Sequence, residues 1–252
     1  DGRGPPWWIR GEFLLSGWVL LVLVGLAAGV FVASAKRDSS ELERQAITML
    51  VAYTAQLILI GVLLYAFARI QGSSISSGNP SDSGSLSSGP LLWAAGIGVL
   101  GFIVAFPTAQ AFGMLAGAVQ RKITGMDPDA IGHQTLQAIK DSPGDGWALV
   151  IMITVVLVTP VIEEFAYRGL VQQGFRRLGA SRPVAIVITS CLFVFMHVPA
   201  LPGGSIFAAV VTLLVLSIVF GWLFERTGRL TAPIVAHGLF NLLNLILFEI
   251  GF

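Results

Sequence analysis

The residues of this 252-residue chain whose types could do chemistry fall into three short clusters, each set within apolar sequence. They are Glu163, Glu164 and Arg168; Phe193 and His197; and His237 and Asn241. Glu164 and Arg168 are one helical turn apart with the acid on the amino-terminal side, the order in which such pairs attract best. Glu163 is rotated about 100° away and lacks that partner. One carboxylate is therefore held while its neighbour is available, and two adjacent carboxylates repel, the electrostatic setting in which a general base is made. His197 stands one turn after Phe193 on the same face, and His237 and Asn241 are likewise one turn apart. Each cluster alone has a plain structural explanation. The acid–base pair can be a helix-end salt bridge with Arg168 reaching the headgroups, His197 a packing histidine, and His237 with Asn241 a helix–helix hydrogen bond. Together a carboxylate, two imidazoles and an amide are groups that activate water and hold a tetrahedral oxyanion.

The elements that must position these groups follow from composition. Only 12% of the residues are charged and 55% are hydrophobic, and the mean hydropathy is +0.82. A soluble domain carries about twice that charged fraction, so much of the chain faces lipid. A net charge of +1 leaves no basic excess for nucleic acid. Cys191 is the only cysteine, which excludes an intrachain disulfide and a cysteine-rich metal site. A crossing needs about 20 apolar residues, and the sequence supplies about seven such stretches: 13–35, 46–70, 91–117, 147–178, 183–198, 205–224 and 232–252. The expected fold is an all-α polytopic bundle in four parts. Residues 1–70 hold the amino-terminal helices, 71–90 a Ser/Gly-rich flexible linker, 91–146 the third span with a polar connection, and 147–252 the motif-bearing core. A short surface helix is expected around 130–139, with His133 an ordinary exposed histidine. Gly96, Gly98 and Gly101 are expected to permit close helix contact.

Basic residues mark the cytoplasmic end. Arg168, Arg176, Arg177, Arg182, Arg226 and Arg229 point to one end of the carboxy-terminal half, whereas Lys36–Arg44 and Arg121–Lys140 conflict with it, so one segment is re-entrant or the second loop lies outside. At about 1.5 Å per residue, Glu163 and His197 both lie roughly 22 Å from the turn at 179–182, and Asn241 roughly 16 Å from its own basic end, with His237 one turn shallower. The clusters can therefore meet with modest tilt.

Glu-Glu-x-x-x-Arg at 163–168, Phe-x-x-x-His at 193–197 and His-x-x-x-Asn at 237–241, in that order on successive spans, resemble the CPBP family. This family comprises the type II CAAX prenyl endopeptidases and their bacterial relatives, often described as abortive-infection or bacteriocin-immunity proteins. The resemblance covers about residues 147–249. It implies an intramembrane endopeptidase of the bacterial inner membrane, acting on a membrane-associated protein or peptide, with or without a prenyl group, with its site open to the cytoplasmic side. In that reading Glu163 with His197 activates water, His237 and Asn241 hold the oxyanion, and Glu164 with Arg168 orients the site. Glu163, His197 and His237 also match the His₂Glu ligand set of catalytic zinc, so the resemblance leaves a metalloprotease open beside glutamate-activated water. The latter is favoured because no His-Glu-x-x-His helix is present. A proton-coupled transporter and a noncatalytic immunity or scaffold protein are the rival functions.

Overall fold

The computed structural model describes residues 11–74, 91–125, 134–201 and 206–250, and every regular element among them is helical. Helices α1 (Gly11–Ala35) and α2 (Glu41–Ser74) precede α3 (Leu91–Thr124). A short α4 (Gln134–Asp141) leads into the long α5 (Gly146–Arg177). Then come α6 (Arg182–His197), extended by a 3-10 turn, α7 (Ile206–Thr227) and α8 (Thr231–Glu249). All but α4 are long and apolar enough to cross a membrane, giving the seven spans expected. Helix α4 takes the place of the surface helix expected at 130–139, while His133 lies outside the described residues. So does all of the expected linker except its first four residues, which continue α2 to Ser74.

The reversals that return the chain have local causes. Gly179, between α5 and α6, has φ of 94°, and Gly228, between α7 and α8, has φ of 63°. This left-handed backbone ends a helix at little cost only where there is no Cβ. At the start of α5 the Asp145 carboxylate caps the Trp147 N–H at 2.9 Å, satisfying one of the donors that a helix start leaves open.

Small residues set how the helices meet. Gly11 of α1 abuts the Gly174 carbonyl of α5, and a Cβ at Gly174 would come within 2.9 Å of Leu15. A Cβ at Gly98 would lie 2.5 Å from the Ala232 carbonyl, and one at Gly101 2.6 Å from Leu223. These two fasten α3 to α8 and α7 as the sequence suggests, but Gly96 meets nothing within 4 Å and plays no part. One apolar cluster joins α1, α2, α5 and α6 around Leu21, Tyr167 and Phe193. A second joins α3, α7 and α8 around Phe220 and Leu216. Outward faces such as Leu23, Val30 and Phe31 of α1 or Val104 and Met114 of α3 are exposed and apolar, as lipid-facing helices require. Helix α5 is the most enclosed span, with 39% of its apolar window buried against 11% for α2.

Seven alternating crossings place Lys36 to Arg44 and Arg121 to Lys140 at one end of the bundle, and Arg176, Arg177, Arg182, Arg226 and Arg229 at the other. The conflict in the basic residues therefore comes from both ends being basic. Arg168 leaves that count altogether, because it is fully buried.

Candidate active site

The site is built around Pro160. Proline has no N–H to give the Val156 carbonyl one turn earlier, and its ring crowds that oxygen. Helix α5 loses α-helical register on both sides, becoming π-helical at Thr154–Val158 and again at Phe165–Gln172. Such wide turns free carbonyls and are frequent at functional sites. Helix α8 takes them up. Asn241 Nδ2 donates to the Val155 carbonyl at 2.9 Å, and Gly238 approaches the Val156 carbonyl so closely that a Cβ there would stand 3.1 Å from it. Glu163 and Glu164 lie between the two π-helical segments.

Glu164 and Arg168 pair as their spacing demands, Arg168 Nη1 donating to Glu164 Oε1 at 3.1 Å, with neither side chain exposed. This is no headgroup-facing salt bridge. Arg168 Nη2 also donates to the Ser217 carbonyl at 2.9 Å and to its hydroxyl at 2.8 Å. The guanidinium lies 5.3 Å from the ring centre of Phe193 and 5.5 Å from that of Phe220, within reach of cation–π attraction. A charge so deep needs these partners, since a buried ion left alone carries a large desolvation penalty. Glu164 Oε1 then accepts from His237 Nδ1 at 2.9 Å.

Glu163 occupies the other face. Its Oε1 lies 3.7 Å from His197 Nε2 and its Oε2 3.9 Å from His237 Nε2. His197 Nδ1 is 2.7 Å from the Phe193 carbonyl. A carbonyl only accepts and the arginine-paired Glu164 accepts too, so both imidazoles donate from Nδ1 and turn Nε2 toward Glu163. Phe193 stacks on the His197 ring at 4.2 Å between centres, and Phe220 on His237 at 5.1 Å, which fixes both ring planes. Glu163 and His197 remain about one-fifth exposed, at 20% and 23%, so a small molecule can reach them.

Glu163, Glu164, Arg168, His197 and His237 thus converge. Asn241 Nδ2 makes its hydrogen bond to the Val155 carbonyl of α5. Sequence reasoning missed Ser217, Phe220, Pro160 and Gly238. A proline inside an apolar span and a glycine beside His237 were the available signals for the last two, whereas nothing in spacing points to Ser217. Among the described residues no group of three His, Cys, Asp or Glu has the arrangement to hold a metal ion. Glu163 offers a different oxygen to each imidazole, Oε1 to His197 and Oε2 to His237.

Residues 145–243 match the family of Rce1-like type II CAAX prenyl endopeptidases. No curated protein and no solved structure matches the chain.

Proposed function

With residues 145–243 forming a CPBP-family domain, that of a CAAX-type intramembrane protease, we propose that the protein hydrolyses a peptide bond of a membrane-associated protein or peptide by glutamate-activated water. The observation that carries this is the pair of Nε2 atoms facing the two oxygens of Glu163 at 3.7 and 3.9 Å. Glu163 accepts a proton from water while Nε2 of His197 accepts the other O–H, so the water's lone pair turns to the scissile carbonyl. The C–O bond forms and the carbonyl oxygen takes the negative charge. Protonated at Nε2, His237 donates to that oxyanion, and the buried Glu164 stabilises its positive ring, as donors aimed at developing charge do in a water-poor site. Glu163 then delivers its proton to the amine as the C–N bond breaks. Arg168 and Ser217 hold Glu164. Asn241, anchored on Val155, keeps α8 in the register that aims His237. We place the Arg176 to Arg229 end on the cytoplasmic side of a bacterial inner membrane, by the five arginines that stand beside its short loops.

The test is cleavage of a library of apolar peptides by purified protein in detergent. Glu163→Gln keeps the shape and removes the base, so turnover falls by about 10² to 10⁴ while the melting temperature is unchanged. Activity of wild type survives a chelator. Undiminished cleavage by Glu163→Gln, or by a variant lacking both His197 and His237, sinks the proposal.

A further inference from the structure

A cavity of about 270 Å³ opens beside Glu163 and His197. Its other wall comes from Trp18 and Leu26 of α1 and Tyr53 and Gln56 of α2, helices outside the family-matched residues 145–243. This is the small end of ligand pockets, room for a short stretch of extended chain and too little for a folded partner. Two rim residues, Leu26 at 60% and Met196 at 36% exposure, are apolar and face outward, so the mouth is on the lipid-facing side of the bundle.

Two polar groups of α2 remain to be explained. Gln56 Nε2 donates to the Leu21 carbonyl at 2.9 Å. That bond settles which way the amide points, because only nitrogen can donate to a carbonyl, and it leaves Gln56 Oε1 buried without a hydrogen-bond partner among the described residues. A buried acceptor left unpaired costs about 1–3 kcal/mol. Three residues earlier, on the same helix face, the Tyr53 oxygen accepts from Thr159 Oγ1 at 3.1 Å, so its own O–H is left to donate. Tyr53 and Gln56, a helical turn apart, thus bring a donor and a buried, unpaired acceptor to the residues that line the cavity with Glu163.

We infer that Tyr53 and Gln56 dock the backbone of the substrate: Gln56 Oε1 accepts a peptide N–H and the Tyr53 hydroxyl donates to a peptide carbonyl of an extended apolar segment entering from the lipid side. A peptide bond must leave a helix to be cut, and in hydrocarbon each backbone group so freed needs a partner. The two side chains supply those partners beside the base. They are positioning residues, and the inference takes the identity of its ligand from the peptidase reading.

The probe is a capped hexapeptide of alternating alanine and leucine, with analogues in which each backbone N–H in turn is replaced by an ester oxygen. Binding is measured to full-length Glu163→Gln protein in detergent, where hydrolysis does not interfere. One ester analogue is expected to bind about 5- to 10-fold more weakly than the amide. That difference should vanish when Gln56→Met is added, the signature of a direct contact in a double-mutant cycle. Tyr53→Phe should weaken all the peptides several-fold, and with Glu163 intact each variant should raise KM and leave kcat within twofold, as loss of uniform binding does. A purely structural Gln56 would weaken the amide and every ester equally, and that result, or absence of any peptide binding, overturns the inference. Gln56-dependent binding by a wild type that cleaves nothing would sink the peptidase reading alone. Cleavage with a KM indifferent to Gln56 and Tyr53 would sink the docking site alone.

Discussion

Helices α3 and α5 are nearly the same length, 34 and 32 residues, both apolar and each with one interior proline, yet they answer that proline differently. Around Pro107, α3 stays α-helical from end to end. The carbonyl one turn before Pro107 belongs to Ile103, whose side chain is 57% exposed toward lipid. Thr108, next in sequence, turns its hydroxyl back to the Val104 carbonyl at 2.7 Å. That hydroxyl finds its partner within its own helix because lipid offers none. Around Pro160, α8 brings an amide and a glycine to the freed carbonyls, and the backbone departs into π-helix on both sides of the glutamates. A proline permits a distorted register. A polar neighbour makes it persist.

Six substitutions, one of them a rescue and one a control, probe that difference. Arg168→Met should be the most damaging, since it strands the buried Glu164; loss of one partner of a buried pair costs about 3–5 kcal/mol, read as a lowered unfolding midpoint in detergent. Adding Glu164→Gln to it should recover much of that loss, because no charge then remains to be solvated. Pro160→Ala comes next. Restoring the α-helical bond to Val156 rotates Glu163 relative to the imidazoles, and displacement of about 1 Å in such a site can cost 10²-fold in turnover, here with stability unchanged or higher. Pro107→Ala is its control and should leave turnover within twofold; equal losses from both would break the comparison. Asn241→Leu leaves the Val155 carbonyl unpaired and should cost about 1 kcal/mol, in the range of helix–helix hydrogen bonds within membranes, and lower turnover without abolishing it. Gly238→Ala should be the mildest. The new methyl would meet the Val156 carbonyl at 3.1 Å, and a shift of a few tenths of an ångström relieves it, for roughly 0.5 kcal/mol by the lower range of overpacking costs. A larger loss than from Asn241→Leu would show that the helix contact, rather than the amide, holds the bulge.

The Glu164–Arg168 pair was legible because four residues make one helical turn wherever a helix forms. The seven spans were legible because hydrocarbon thickness fixes their length. Depth counting brought His197 level with Glu163 and put Asn241 closer to that level than His237, whereas His237 makes the contact, since helix tilt and rotation are not written in residue counts. Gly96, Gly98 and Gly101 look alike in sequence, and only the neighbours of α3 separate the two that pack from the one that faces open space. Arg168 read as a loop-side charge for the same reason: its partners Ser217 and Phe220 are about fifty positions away.

The sequence by itself determined that this chain lives in lipid, how many times it crosses, and that three of its apolar stretches carry a cluster of six charged or hydrogen-bonding side chains, Glu163, Glu164, Arg168, His197, His237 and Asn241. Those facts depend on composition and on distances along one helix. The tertiary structure decided which of the two glutamates is tied to Arg168 and His237 and which faces both imidazoles, that Asn241 serves the backbone of α5, and that Tyr53 and Gln56 of α2 wall the cavity. Each of these depends on how one helix is rotated and set against another, which packing of whole faces decides and no local spacing encodes.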